Sequence, residues 1–266
     1  MLFRSELLRQ VKQLRYGGRK ITAVLSCRTF DLKNDPEIRN WLTTDQTLKK
    51  LEVTTLSSKA LVEILGPSAN QFTDRQKQIL ACPQNLAMWM TLKKENSIPK
   101  FRSVTELMRC FWQNRRELLG IAGIAMPELD MVINLILDEM ERSGRVSVST
   151  RILSRSPIIF SALQSYGIIQ ESNGKVTFCH QSYSDYLIAD RLLQQIYNGG
   201  GDIIKWLGLK ERQSLFRREQ LRQTLAMMSE ESPHDFVKIV KSLLESDKIR
   251  FHMKHVALEL IGQLED

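Results

Sequence analysis

The sequence predicts a mainly α-helical protein that begins with an α/β segment and contains a winged helix in its middle. Three observations predict this class. A helical apolar stripe over residues 2–15 is followed by the apolar, β-branched run Ile21–Leu25. From about residue 57 onward, apolar residues recur mostly at helical spacing. Within that helical stretch, Asn173-Gly174 separates two short apolar runs, which is the strongest short-range signal of a β-hairpin.

Residues 1–56 are predicted to form the α/β part of the chain. A helix and a short glycine-containing turn lead into Ile21–Leu25, whose composition is typical of a buried strand. Arg28 follows at the carboxyl end of that strand, where open α/β sheets bind their ligands. A second short strand is predicted at Leu51–Leu56, before a helix that is capped by one of the two serines that follow.

Residues 57–126 are predicted to form a small helical domain. Two segments in this region fit the capping box, in which a hydroxyl and a side chain three residues later satisfy free amides at a helix start. These segments are Thr73 with Gln76, and Ser103 with Glu106. We therefore expect one helix to begin after Thr73 and another after Ser103.

Residues 127–190 are predicted to form the winged helix. One helix has Pro127 in its first turn and ends near Gly144, and a short second helix begins at Pro157. The buried face of the first helix is predicted to consist of Leu129, Val132, Ile133, Ile136, Leu137 and Met140. Because that stripe continues through the sequence Leu135–Glu139, we interpret these residues as helix and not as an acidic magnesium motif.

Residues 191–266 are predicted to form a helical extension that could begin a repeat array. The glycines at 199–201 interrupt it, and helices are predicted at Phe236–Leu244 and Met253–Leu264. The basic run Lys210–Arg222 is interpreted mostly as a solvated helix face.

Composition excludes several classes of protein. The chain has 266 residues, 42% of them apolar, so it is not mainly disordered. The sequence has no run of about 20 apolar residues, and its first residues lack the apolar core of a signal peptide, so we expect a cytoplasmic location away from membranes. The four cysteines have no zinc-like spacing and are interpreted as buried thiols. The formal charge is +8, and no G-x-x-x-x-G-K-[ST] phosphate loop occurs.

Three pieces of sequence occur in a recognisable order. The strand that ends in Arg28 comes first, Cys82-Pro83 in the small helical region comes second, and the segment Phe178–Ala189 comes third. This last segment matches the pattern F-x-H-x-S-[FY]-x-[ED]-[YF]-x-x-A at Phe178, His180, Ser182, Tyr183, Asp185, Tyr186 and Ala189. In this combination the chain resembles the NACHT branch of the STAND class of AAA+-related P-loop ATPases.

The resemblance covers roughly residues 1–195 and corresponds to the C-terminal part of such an ATPase module. The phosphate loop and acidic magnesium motif of the family belong before the first helix, and neither occurs in this sequence. The resemblance implies a defence-related signalling switch, with ADP in the closed state and ATP with Mg supporting a self-oligomer. Its implied partners are an N-terminal nucleotide-binding segment and a sensed ligand. The chain alone is expected neither to hydrolyse ATP nor to bind it tightly.

The resemblance implies three nucleotide-binding residues, and each has a structural alternative. Arg28 would sense a phosphate of the nucleotide, or it would pair with a carboxylate at a sheet edge. His180 would donate a hydrogen bond to a phosphate of ADP, or it would pack between the wing and the next helix. Pro83 would pack on adenine, or it would only start a helix. We predict no catalytic residue and no metal ligand in this chain.

Two other functions are compatible with the sequence. A winged-helix regulator that binds DNA would suit the net charge of +8. Nucleic acid is not favoured, however, because the recognition helix expected over Ser156–Tyr166 contains no Lys or Arg. The third alternative is a purely structural adaptor made of helices, in which His180 has no role in partner binding.

Overall fold

The computed structural model describes Gln13 and residues 36–46, 49–52, 54–94 and 100–264. The chain divides into two compact units, Met1–Thr54 and Thr55–Asp266. The predicted strand Ile21–Leu25 and Arg28 lie outside the described residues, as does the predicted helix over residues 2–15 apart from Gln13. The division into four regions stays a prediction.

The described residues are mainly helical, as predicted. The α-helices are α1 Pro36–Thr44, α2 Ser58–Leu65, α3 Asp74–Leu80, α4 Pro83–Lys94, α5 Val104–Ile121, α6 Met126–Ser143, α7 Pro157–Ser165, α8 Gln181–Tyr197, α9 Ile203–Leu207, α10 Leu215–Glu231, α11 Pro233–Glu245 and α12 Phe251–Leu264. Short 3-10 helices lie at Gly66–Gln71, Thr150–Leu153 and Lys210–Arg212. The strands are β1 Val148–Ser149, β2 Ile169–Ser172 and β3 Lys175–Phe178. None of the described helices is both long enough and apolar enough to cross a membrane.

The predicted strand at Leu51–Leu56 is wrong for the residues of that range that the structure describes. Leu51 is 88% exposed, so the apolar run is not a buried strand. The N–H of Leu56 instead donates to the carbonyl of Ala81 at 2.7 Å, at the end of α3. The helix after it is confirmed, because the Ser57 hydroxyl caps α2 by accepting from the N–H of Ala60 at 3.2 Å.

The capping box at Thr73 is confirmed in both of its hydrogen bonds. The one predicted at Ser103 is half correct. The Ser103 hydroxyl accepts from the N–H of Glu106 at 3.1 Å and so caps α5. The Glu106 carboxylate, however, accepts from the N–H of Arg102 at 2.5 Å, one residue before the cap. Helix α5 therefore begins where the sequence predicts. The Glu106 carboxylate, however, binds the N–H of Arg102 and not the N–H of Ser103.

The hairpin strands β2 and β3 form a small three-stranded antiparallel sheet with β1. In the chain, α6 precedes β1 and α7 follows it. The strand order is β1-β3-β2, and Val176 of β3 lies opposite Val148 on one side and Glu171 on the other. Asn173 and Gly174 have φ values of 52° and 69°, as a two-residue hairpin turn requires. This order of helices and strands is typical of a winged helix.

Helix α6 contributes one buried face to the hydrophobic core. Its six predicted apolar positions are all buried, and Gly144 ends the helix in the left-handed conformation. The acidic residues of the Leu135–Glu139 segment carry ion pairs: Asp138 pairs with Arg191 of α8, and Glu139 pairs with Arg142. The helical interpretation of this segment is confirmed.

The C-terminal helices pack side by side, with α8 along α10 and α10 along α12. The glycines at 199–201 separate α8 from α9, as predicted. A Cβ atom on Gly201 would lie 2.6 Å from the backbone nitrogen of Ile196, so the chain turns back closely onto the end of α8. The predicted helices near residues 236–244 and 253–264 correspond to α11 and α12.

The interpretation of the basic run Lys210–Arg222 as a solvated face is wrong for its second half. Arg217 lies over the ring of Trp206 at 4.9 Å and donates to the Trp206 carbonyl. Arg218 and Arg222 both pair with Glu259 of α12. Because Glu259 is distant in sequence, the local pattern gave no sign that these arginines join α10 to α12.

Candidate functional site

An open cleft of about 450 Å³ lies in the second unit, next to the start of α8. Helices α4 and α5 supply part of its lining, and the turn after α7 and the first residues of α8 supply the rest. Its lining residues include Gln84, Thr91, Phe111, Arg115, Ser165, Gly167, His180 and Tyr183. Of the three predicted site residues, His180 lines the cleft, Pro83 does not, and Arg28 lies outside the described residues.

His180 is held at the cleft by its place in the chain and by an aromatic contact. It is the N-cap residue of α8, and its exposed side chain makes no capping hydrogen bond. Its ring stands edge-on to the ring of Tyr183, with centroids 5.4 Å apart. Both roles considered for His180, a contact to phosphate and packing at the junction of wing and helix, remain compatible with this position.

Pro83 is the first residue of α4 and is exposed. A proline suits this position because its missing N–H would have no partner in the first turn of a helix. The next residue, Gln84, donates a hydrogen bond from its side-chain amide to the hydroxyl of Ser182 in α8. The start of α4 therefore lies against the first turn of α8, two residues after His180.

Arg115 is the residue that sequence reasoning missed. It lies on α5, is only 5% exposed, and lines the cleft with its guanidinium 4.7 Å from the centre of the Phe111 ring. A signal for it existed, because Met108, Phe111 and Arg115 follow one another at spacings of three and four. These spacings put an arginine on the buried face of an amphipathic helix.

The described lining of the cleft includes two basic residues. Arg115 and His180 line it, and among the described residues that line it none is Asp or Glu. Burial raises the pKa of Tyr183 to about 12, against the opposing effect of the Arg115 guanidinium. The Tyr183 hydroxyl therefore stays neutral at physiological pH and can serve as a hydrogen-bond donor.

The cysteines and histidines that the structure describes offer no sign of nucleophilic or metal chemistry. Cys82, Cys110 and Cys179 are free and half-buried, and Cys27 lies outside the described residues. Burial raises the pKa of the Cys110 and Cys179 thiols, so neither is an activated thiolate. In the part of the chain that the structure describes, no cluster of three His, Cys, Asp or Glu residues could hold a metal ion.

Most of the motif Phe178–Ala189 is core. Phe178, Asp185, Tyr186 and Ala189 are all buried. Burial raises the pKa of Tyr186 to about 12, and its hydroxyl interacts with Arg109 of α5. The motif therefore fixes the start of α8 through its buried members, while His180 and Tyr183 reach the cleft.

Comparison with known proteins gives no family for this chain. No family model matches the sequence, and no match was found among the curated proteins compared with it. The function must therefore be argued from the residues and the cleft.

Proposed function

We propose that the chain forms the lid, the winged helix and the start of the helical extension of a NACHT-like STAND ATPase. In the complete protein this part would belong to a nucleotide-dependent switch for signalling, with a role in defence and a cytoplasmic location. One observation carries the proposal: the histidine of the motif lines an open cleft that α4 and α5 also line.

In the resting state, His180 donates a hydrogen bond to a phosphate of ADP, and Pro83 packs on the adenine. The hydrogen bond between Gln84 and Ser182 supports this arrangement, since it holds the start of α4 against the helix that follows His180. For Arg28, which lies outside the described residues, a contact to phosphate is only what the resemblance implies. Opening of the protein would break the contact between His180 and the phosphate of ADP. ATP with Mg would then support the open, oligomeric state.

The chain alone is not expected to hydrolyse ATP. Its sequence contains neither a phosphate loop nor an acidic magnesium motif, and Asp138 and Glu139 are engaged in ion pairs on α6. His180 and Pro83 can contribute to the binding of a nucleotide, and we assign a catalytic role to neither. We therefore expect weak binding of ADP without turnover.

The test uses purified residues 1–266. Turnover of Mg-ATP is measured first, and ADP is then titrated while backbone amide signals are followed by NMR. We expect no turnover, with shifts at Gln84 and at residues 180–183. These shifts should be lost in His180→Ala and kept in His234→Ala, a matched change at an exposed histidine of α11.

Two results would contradict the proposal. One is magnesium-dependent turnover that a substitution in this chain abolishes. The other is the binding of a DNA duplex with sequence selectivity and strong salt dependence, which would favour the regulator. The structure gives little support for sequence-selective DNA binding. Helix α7, which would be the recognition helix of such a regulator, has no Lys or Arg, and its Ile158 is 75% exposed.

A further inference from the structure

We propose that the solvent-facing side of the sheet β1-β3-β2 binds the phosphate backbone of duplex DNA without sequence selectivity. This inference goes beyond the proposed function and does not rest on any contact to a nucleotide. It also differs from the DNA-binding regulator considered above, which would read bases through α7. The contact is made by the sheet and by the residues that flank β1.

The alternation of side chains along the strands decides which side of the sheet faces solvent. Val176 lies opposite Val148, and Phe178 lies opposite Ile169. All four side chains are buried, so they mark the side that faces the core. The alternate positions form the other side, which we call the wing face. Its strand residues are Ser149 of β1, Gln170 and Ser172 of β2, and Lys175 and Thr177 of β3.

Each strand residue of the wing face carries a hydrogen-bonding side chain. All are exposed except Thr177, which is half-buried. Hydroxyl, amide and ammonium groups are the side chains that contact phosphate oxygens in protein–DNA complexes. Glu171, the acidic residue of the described strands, lies opposite Val176 and so belongs to the other side of the sheet. The wing face therefore offers donors to a phosphate backbone without a carboxylate among its own strand residues.

Three cations surround β1. Arg145 precedes the strand and Arg151 follows it, and both are exposed. The Ser149 hydroxyl accepts from the N–H of Arg151 at 3.4 Å, so Arg151 stays close to the end of the strand. Lys175 lies directly opposite Ser149. Within the part of the chain that the structure describes, none of the three cations pairs with a carboxylate, so their charges are available to the phosphates of a partner.

The chemistry and size of the wing face favour duplex DNA over other nucleic acids. None of its strand residues is aromatic, so it offers no ring on which the bases of a single strand could stack. Strands β2 and β3 have four residues each, which corresponds to about 13 Å of strand. This length matches one groove of B-DNA, about 12 Å wide. A typical module for duplex RNA is larger, since it spans about 16 base pairs and two successive minor grooves.

The absence of selectivity follows from α7. The expectation against nucleic acid rests on this helix alone, because it has no Lys or Arg with which to read base edges. Phosphate contacts need no such helix, and they carry no sequence information. We therefore expect the wing face to bind different duplexes equally, with an affinity that falls as salt displaces the protein from the phosphates.

The experiment titrates residues 1–266 into two labelled DNA duplexes of unrelated sequence and follows fluorescence anisotropy between about 20 and 200 mM salt. The two dissociation constants should agree within about threefold. The logarithm of the association constant should fall with the logarithm of salt concentration at a slope of about −2.7, because each of three phosphate contacts contributes about −0.9.

The test variant combines Arg145→Gln, Arg151→Gln and Lys175→Gln and should lose most of this salt dependence and most of the affinity for both duplexes. Lys175→Gln alone should reduce the slope by about 0.9 and covers the case in which the triple variant fails to fold. The matched control combines Lys205→Gln, Lys210→Gln and Arg212→Gln. It removes the same net charge from exposed residues outside the wing face, so it should bind as wild type does.

The inference is overturned if wild type does not bind either duplex at the lowest salt, or if the control variant loses as much affinity as the folded test variant. Duplex RNA and single-stranded DNA of the same sequence are titrated alongside. Tighter binding of either one would reject duplex DNA as the partner. A difference of more than about tenfold between the two DNA duplexes would reject backbone binding and favour the regulator.

Discussion

The ring of Tyr183 stacks on the ring of Phe111, with centroids 5.1 Å apart and planes inclined by 24°. Tyr183 belongs to the first turn of α8 and Phe111 to the middle of α5. The stack therefore joins the motif that contains His180 to the helix that contains Arg115. It also lies against the small apolar pocket lined by Met108, Trp112 and Leu187, so the contact belongs to the core as well as to the cleft.

Tyr183→Ala should lower the free energy of unfolding by about 2–3 kcal/mol, because it removes a half-buried ring and the stack on Phe111. Urea unfolding followed by circular dichroism measures this loss. Tyr183→Phe is the control and should stay within about 0.5 kcal/mol of wild type, since the ring is kept. Equal losses in both variants would show that the hydroxyl, and not the stack, is responsible.

Two fully buried glutamines should respond in opposite directions to the same change. The side-chain amide of Gln220 on α10 makes no hydrogen bond within the described part of the chain. Gln220→Met should therefore raise the free energy of unfolding by about 1–2 kcal/mol, because the cost of burying an unsatisfied amide is removed. Thermal unfolding followed by calorimetry should show a higher melting temperature.

Gln213 provides the comparison. Its side-chain amide donates to the carbonyls of Gly208 and Lys248 at 3.0 and 2.8 Å, and its oxygen accepts from the N–H of Arg250 at 2.8 Å. Gln213→Met leaves three backbone groups without these bonds and should lower stability by about 2–4 kcal/mol. A gain in stability from Gln213→Met, or a loss from Gln220→Met, would contradict this account.

Asp190 on α8 should make stability depend on pH. Burial raises the pKa of its carboxyl, with Arg109 opposing the shift and Glu231 adding to it. Since the native pKa lies above the ordinary value, ionisation disfavours the folded state, and stability is lost as the pH rises through the native pKa. Asp190→Asn should therefore be more stable than wild type at neutral pH, and this advantage should disappear in acid.

The measurement is urea unfolding of wild type and Asp190→Asn between about pH 3 and pH 7, a range that spans the ordinary carboxyl value. Asp138→Asn serves as the control, because Asp138 is exposed and its ion pair with Arg191 should contribute only about 0–1 kcal/mol. An advantage of Asp190→Asn that stayed constant with pH would exclude the ionisation of this carboxyl as its cause.

The hairpin turn is sensitive to one glycine. Gly174 has a φ of 69°, and a Cβ added there would approach only the Thr150 hydroxyl, at an ordinary contact distance of 3.9 Å. Gly174→Ala should thus cost about 1 kcal/mol of stability, from backbone strain alone. Gly120→Ala, at an exposed helical position of α5, should instead raise stability by about 0.5 kcal/mol. Chemical denaturation of the two variants would reveal these opposite signs.

The parts of the fold that the sequence predicted well are those with local causes. The buried face of α6 follows from apolar spacing within one helix, and its end follows from Gly144. The turn at Asn173 and Gly174 follows from backbone conformations that few other residues adopt. In each case the residues that decide the structure are neighbours in the chain.

The features that sequence reasoning missed depend on residues far apart in the chain. Arg217 and Arg222 look like solvated charges until Trp206 and Glu259 are brought beside them. In the same way, Arg115 acquires its place in the cleft only when α8 packs on α5. His180 could be singled out by its motif, but no local pattern indicates that an arginine of α5 shares its cleft.

The turn between α8 and α9 imposes different mutational limits on three glycines that look alike in sequence. A side chain on Gly201 would collide with the backbone of Ile196, and Gly199 has a φ of 74° that other residues rarely adopt. A Cβ atom on Gly200 would approach only the carbonyl oxygen of Gln195, at an ordinary contact distance of 3.9 Å. Position 200 should therefore accept a small side chain, whereas the geometry of the turn restricts positions 199 and 201 to glycine.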